Sequence, residues 1–127
     1  MAMKRPVSPL QVKSEAFSGR IIRLHTYLIE VKNERIMANQ IYRSGTSIGA
    51  NIAESRYAQS GPDFVSKLSI ALKEASETRY WLTSIYGAGL IDQVGYDSKM
   101  TDNNELIKML TSSVNTMKEK LGLNEKT

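Results

Sequence analysis

The apolar residues of this chain recur at alternating steps of four and three, the spacing of a helix that packs nearly parallel to other helices. In the first such segment the series is Leu10, Ser14, Phe17, Ile21, Leu24, Leu28 and Val31. The same spacing predicts four helices, over about residues 9–32, 34–58, 62–86 and 98–121. None of these segments has the two-residue alternation that is typical of a β-strand.

Turn signals separate the predicted helices. Ser8 precedes the first helix and Ser60 precedes the third, each followed by a Pro within two residues, which is the pattern of a capped helix start. The predicted loop before the fourth helix contains Gly87, Gly89, Asp92 and Gly95. Short connections favour antiparallel neighbours. The sequence therefore predicts an all-α fold, a single antiparallel up-down-up-down four-helix bundle over residues 1–127.

The composition is that of a soluble globular protein with a moderately basic charge. Of the 127 residues, 41% are hydrophobic and 24% are charged, and the net charge of +4 permits an anionic partner without requiring one. Without Cys and with one His, thiolate and multi-His metal sites are excluded, and we expect no cofactor. No apolar run approaches the roughly 20 residues of a membrane span, so we expect a cytoplasmic protein with no membrane partner.

Small residues interrupt the apolar pattern of the second predicted helix. Residues 40–54 contain Gly45 and Gly49, and a Gly in a helix interior costs about 1 kcal/mol relative to Ala. The isoleucines around them keep the helical spacing, so the segment is still predicted to be a helix. The small side chains indicate that a neighbouring helix packs closely against the backbone here.

Segments 40–54, 63–75 and 77–82 together resemble the bacterial four-helix-bundle family encoded in intervening sequences of 23S ribosomal RNA genes, the S23-like proteins. The resemblance extends over about residues 17–117. It implies a bundle that assembles as a homopentamer around a central channel. A relative of this family, the accessory variability protein of diversity-generating retroelements, is similar in being a basic pentameric barrel that binds nucleic acid and the reverse transcriptase.

Basic residues of the second and third predicted helices are the candidates for nucleic-acid binding. They are Arg43, Arg56, Lys67, Lys73 and Arg79. Repeated around a ring, these side chains would contact the phosphates of structured RNA or of DNA, with little direct reading of bases. The alternative is that each one is a solvated helix residue, paired with a nearby glutamate at helical spacing.

Aromatic and apolar side chains outside the helix seams are the candidates for an oligomer interface. They are Tyr57, Ile70, Tyr80 and Trp81. A bundle core uses only one face of each helix, so apolar surface that remains outside it is expected to be covered by partners. The aromatic rings are also able to stack on unpaired bases, but for Tyr80 and Trp81 we favour the subunit interface.

Arg20 and His25 offer an enzymatic alternative. Some helical ribonucleases of the HEPN class resemble this pattern, with an Arg and a His at similar spacing. In those enzymes the His is a general acid and base, and the Arg holds phosphate. The opposing interpretation, which we favour, is that both residues are ordinary surface positions of the first helix.

The sequence therefore predicts a non-enzymatic, self-associating helical scaffold that forms a homopentamer and binds structured RNA or other nucleic acid electrostatically. One alternative is a HEPN-like ribonuclease that uses His25 and Arg20, and whose RNA cleavage His25→Ala would abolish. Another is a module that binds only protein partners, in which the basic residues serve solubility. No catalytic or metal-binding residues are assigned.

Overall fold

Four α-helices contain most of residues 6–123, the residues that the computed structural model describes. They are α1 (Pro9–Glu30), α2 (Ile36–Ser55), α3 (Gly61–Gly87) and α4 (Gln93–Leu121). Each helix packs against the next one along the chain, and a smaller interface between α1 and α4 completes the bundle. The predicted all-α, antiparallel up-down-up-down four-helix bundle is confirmed.

Serine side chains start α1 and α3, as the turn signals predicted. Ser8 Oγ accepts the backbone N–H of Gln11 at 3.1 Å, and Ser60 Oγ accepts that of Asp63 at 3.1 Å. Each cap satisfies one of the donors that a helix start leaves without an intrahelical partner. The first two helices end earlier than predicted, because the connections between helices occupy residues 31–35 and 56–60.

The start of the fourth helix differs from the prediction. Periodicity placed it at Ser98, which is wrong, because α4 begins at Gln93. The Asp92 carboxylate accepts the backbone N–H of Gly95 at 2.8 Å and caps the helix at this point. Gly95 therefore lies in the first turn of α4 and not in a loop.

The core consists of apolar side chains from all four helices. The largest of the fully buried ones are Phe17, Ile21, Leu28, Ile41, Ile48, Leu68, Leu82, Ile85, Leu106 and Leu110. Burying one such side chain stabilises the fold by about 1.5–3 kcal/mol. Ala71 and Ala75 are fully buried among them, so α3 lies in the middle of the fold with α2 and α4 on either side.

Hydrogen bonds made by buried polar side chains tie α3 to α2 and to α4. Thr78 Oγ1 lies 3.0 Å from Ser44 Oγ of α2 and 2.8 Å from the carbonyl oxygen of Glu74. On the other side, Asn103 of α4 donates from Nδ2 to the carbonyl of Ala75 at 2.9 Å. Because buried polar groups are costly when unpaired, these contacts fix how the helices are aligned along their length.

Helices α1 and α2 approach each other closely at Gly45. A Cβ atom at this position would lie 2.8 Å from both Cγ1 and Cγ2 of Ile21, nearer than real Cβ contacts allow. Ile21 is fully buried and branched at Cβ, so it has little freedom to move aside. The predicted close packing at this Gly is therefore present.

We expect Gly45→Leu to lower the free energy of unfolding by at least about 2 kcal/mol, because the added side chain overpacks the contact with Ile21. Gly19→Leu is the matched control in α1, where the nearest atom to an added Cβ is Arg23 Nη1 at 3.6 Å. It should be neutral or stabilising, since Leu favours helix more than Gly. Chemical denaturation measures both, and equal stability of the two variants would contradict the close contact.

Candidate functional site

Arg43 and Lys73 lie beside the carboxylate of Glu74. Burial raises the pKa of the Glu74 carboxyl above its ordinary value, and repulsion by Glu77 raises it further. The positive charges of Arg43 and Lys73 lower the same pKa. The structure therefore brings two of the five candidate nucleic-acid residues together, in a cluster that also contains two acidic residues.

Lys67 of α3 lies near Glu54, at the C-terminal end of α2 and away from Arg43 and Lys73. Its Nζ lies 4.0 Å from Glu54 Oε1, and the Glu54 side chain is 61% exposed. An exposed ion pair of this kind contributes at most about 1 kcal/mol to stability. With a rise of about 1.5 Å per helical residue, Arg43 and Glu54 are roughly 16 Å apart along α2. The candidate residues are thus spread along the α2–α3 surface and do not form one patch.

Arg56 and Arg79 complete the candidate set. The Arg56 guanidinium lies over the ring of Tyr57, with its central carbon 5.8 Å from the ring centroid. This arrangement allows a cation–π interaction. Arg79 is exposed on α3. Arg56 follows the end of α2, roughly 20 Å from Arg43 along the helix, so the five residues do not form one phosphate site within a single chain.

Three of the four candidate interface residues are exposed. Tyr57, Ile70 and Tyr80 have 60%, 39% and 62% of their surface accessible. Trp81 differs, because it is partly buried against the core and its ring makes an edge-on contact with Tyr80 at a centroid distance of 4.9 Å. Its indole Nε1 is inaccessible and has no hydrogen-bond partner within residues 6–123. The exposed apolar surface of α3 is therefore centred on Ile70 and Tyr80.

Ile70, Lys73, Glu77 and Tyr80 follow one another at steps of three and four, so they share one stripe of α3. The buried residues of α3, from Leu68 to Ile85, lie on the opposite face. We call these four residues the outer stripe of α3. Lys73 thus belongs to the same surface as the candidate interface, a coincidence that the linear list of basic residues did not reveal.

The side chains of Arg20 and His25 turn to different neighbours. Arg20 is bound to Asp102 of α4, and its Nη2 donates to Ser98 Oγ at 2.8 Å. His25 Nε2 instead lies 3.0 Å from Asn39 Oδ1, on the side of α2. The pair therefore does not converge on one phosphate within the chain, and the geometry disfavours the ribonuclease alternative.

The family model of the 23S rRNA-intervening sequence protein matches residues 10–112. The chain belongs to this family. A crystal structure of a protein with unknown function, from the S23 ribosomal protein family of Bacteroides thetaiotaomicron VPI-5482, is 46% identical to it. The match covers 83% of this chain and 97% of that one, with a TM-score of 0.82. No curated protein matches.

Membership of the 23S rRNA-intervening sequence family agrees with the resemblance found in the sequence, and the similar structure extends it to most of the bundle. Between residues 6 and 123, no helix is both long and apolar enough to cross a membrane. The same part of the chain has no cluster of three or more His, Cys, Asp or Glu side chains suited to a metal ion.

A basic cleft between α1 and the start of α4 was missed by the sequence analysis. Arg20, Arg23, Lys32 and Lys99 line it, and its volume is about 630 Å³. The two lysines are far apart in sequence and belong to different elements, so no spacing rule relates them. The sequence does show a net positive charge, but a net charge does not indicate where the basic residues lie in the fold.

We expect Glu74→Gln to stabilise the protein at pH 7. A carboxyl whose pKa is higher in the folded than in the unfolded state binds protons more readily when folded, so stability falls as pH rises above the ordinary value of 4.5. At pH 7 the ionised group carries that full penalty, and Gln removes it. The gain should disappear in acid, near about pH 3.5, where the carboxyl is protonated in both states.

Urea denaturation at the two pH values measures this difference, with Glu15→Gln as the control. Glu15 is an exposed residue of α1, and its carboxylate accepts a hydrogen bond from Gln11 Nε2 at 3.2 Å. The amide oxygen of Gln would accept the same hydrogen bond. The control should change stability little at either pH. A loss of stability in Glu74→Gln at pH 7 would mean that attraction to Arg43 and Lys73 outweighs burial.

Proposed function

We propose that this chain is a non-enzymatic scaffold that assembles as a homopentamer and binds structured RNA, or other nucleic acid, through phosphate contacts. The observation that carries the proposal is the outer stripe of α3. It presents Ile70 and Tyr80 to solvent on the face opposite the bundle core. A helix that is apolar on two faces has more to bury than its own bundle covers.

Assembly through α3 is supported by the chemistry of these side chains. Aromatic rings bury large areas and are enriched at subunit interfaces, and the exposed Tyr80 packs edge-on against Trp81. Within the outer stripe, Lys73 and Glu77 carry opposite charges. A neighbouring subunit would therefore meet apolar anchors separated by charges that are able to pair across the interface. The number of five subunits comes from the resemblance to S23-like proteins.

Binding of RNA is supported by the charge of the assembled ring. One chain carries +4, and five copies multiply this surplus around one axis. Lys73 belongs to the outer stripe of α3. The other four candidates lie outside it, namely Arg43, Arg56, Lys67 and Arg79. We therefore assign Lys73 to assembly or to its rim, and the other four candidates to phosphate contacts. Such contacts are insensitive to base sequence and weaken with salt.

We expect Tyr80→Arg to lower the mass of the particle in solution, because a charged side chain replaces an apolar anchor of the proposed interface. Val94→Arg is the matched control, since Val94 is 78% exposed on α4 and lies outside the outer stripe. Light scattering coupled to size exclusion gives the mass of both variants, and circular dichroism confirms their helix content. A Tyr80→Arg variant that keeps the native mass would contradict this interface, and a wild-type monomer would contradict assembly itself.

We expect Arg43→Gln combined with Arg79→Gln to weaken RNA binding about equally for different sequences. Each lost phosphate contact should lower the slope of log affinity against log salt by about 0.7–0.9. Lys108→Gln is the control, because Lys108 is an exposed residue of α4 outside the candidate set. Filter binding of a structured RNA over a salt series measures the slopes.

Two results would contradict nucleic-acid binding through α2 and α3, and a third would contradict a non-enzymatic scaffold. Equal slopes in both variants would place the contacts elsewhere. The absence of binding even at low salt would favour the module that binds only proteins. Cleavage of the RNA, abolished by His25→Ala in a folded variant, would establish the ribonuclease alternative.

A further inference from the structure

The basic cleft lies between the second half of α1 and the segment that leads into α4. Its cationic residues are Arg20, Arg23, Lys32 and Lys99, and one acidic residue, Asp92, lines it as well. Asp92 already has a structural role, because its Oδ1 accepts the N–H of Gly95 as the cap of α4. The walls of the cleft thus carry more positive than negative charge.

Arg20 is held in place at the edge of this cleft. Its guanidinium is bound to the carboxylate of Asp102, and Nη2 donates to Ser98 Oγ at 2.8 Å. A guanidinium has five N–H donors, so these contacts fix its plane without using its whole donor capacity. An oriented guanidinium loses less entropy when it binds an anion than a freely rotating one does.

Lys99 lies among the other cationic side chains of the cleft. It is half-buried at the base of the cleft, and its Nζ would lie 3.8 Å from a Cβ atom added at Gly95. Burial lowers the pKa of the Lys99 ammonium, and repulsion by Arg20 and Arg23 lowers it further. Asp92 and Asp102 act in the opposite direction, yet the net shift remains downward. Lys99 therefore lies close to two further cations, and the two nearby carboxylates do not cancel the combined effect of burial and repulsion by those cations.

We propose that this cleft is a binding site for a phosphate group, most suitably the dianionic phosphate of a phosphomonoester. A dianion would be held by Arg20, Arg23 and Lys99, with Lys32 at the rim. Charge-assisted hydrogen bonds from guanidinium and ammonium groups are the usual means by which proteins hold phosphate.

The cleft is larger than a phosphate ion. Its volume of about 630 Å³ falls within the range of sites for small organic ligands, about 300–1,000 Å³. Leu24, Tyr27, Leu90 and Ile91 supply apolar and aromatic wall beside the cations. The organic part of a phosphomonoester would pack there. Binding in this cleft requires neither the pentamer nor the basic residues of α2 and α3.

Isothermal titration at constant ionic strength tests the site with inorganic phosphate and glycerol 3-phosphate as probes, and with chloride and glycerol as controls. Both phosphate probes should bind, and Lys99→Met should weaken them about tenfold, the cost of losing one charge-assisted hydrogen bond. Lys108→Met removes the same charge from an exposed part of α4 and should bind like the wild type. Arg23→Gln, at an exposed position, is a second variant that does not disturb the fold.

The ε-carbon resonance of Lys99 gives an independent readout. An anion in the cleft should raise the pKa of Lys99 towards that of an ordinary lysine, whereas an anion bound elsewhere should leave it unchanged. Failure of both probes to bind the wild type would overturn the site. Equal weakening by Lys99→Met and Lys108→Met would overturn it as well, because the effect would then be one of net charge.

The same titration with RNA oligonucleotides shows whether the phosphate belongs to RNA or to a free phosphorylated molecule. A 5′-phosphorylated oligoribonucleotide that binds more tightly than its 5′-hydroxyl counterpart, with the difference lost in Lys99→Met, would identify a terminal phosphate as the ligand. Equal, Lys99-dependent binding of both oligonucleotides would identify backbone phosphates. Binding of glycerol 3-phosphate with no effect of Lys99→Met on either oligonucleotide would identify a free phosphorylated molecule.

Discussion

The contact between Ile21 and the backbone at Gly45 sets the arrangement on which the rest of this bundle depends. With no side chain on Gly45, α1 and α2 come close enough that a Cβ atom would not fit between them. The α1–α4 interface, in contrast, is the smallest in the bundle. The basic cleft lies beside this smaller interface, between α1 and the start of α4.

The position of α3 explains why the molecule offers a second surface. Its core face packs between α2 and α4, where buried hydrogen bonds at Thr78 and Ala75 fix its alignment on both sides. The opposite face is left without a helical neighbour and still carries Ile70 and Tyr80. Core packing leaves these two side chains exposed, and the proposed contact with a second subunit would cover them.

Sequence periodicity was sufficient for the fold because it reports which face of each helix is buried. The spacing in the third segment predicts a seam of Phe64, Leu68, Ala71, Ala75, Thr78, Leu82 and Ile85, and the last six of these residues are buried. At the start of the helix Val65 is buried instead, and Phe64 is only partly buried. The start of α4 was missed because Gly95 and Asp92 are typical both of loops and of helix starts. Only the hydrogen bond from the Gly95 N–H to Asp92 decides between the two.

The candidate sites were harder to predict, because a linear list of charged residues does not say which of them are neutralised. Of the basic residues chosen from α2 and α3, Lys67 lies beside Glu54, while Arg43 and Lys73 flank Glu74. In the cleft Asp102 already binds Arg20, but burial and the positive charges of Arg20 and Arg23 lower the pKa of Lys99 despite the nearby carboxylates. An incoming phosphate gains most where it replaces repulsion between cations, and least where it must compete with a carboxylate already in place. The charge distribution of the folded chain thus favours an anion-binding site in the α1–α4 cleft. No single basic residue of α2 or α3 offers an equally favourable site. The α2–α3 surface would need several subunits to reach a comparable surplus.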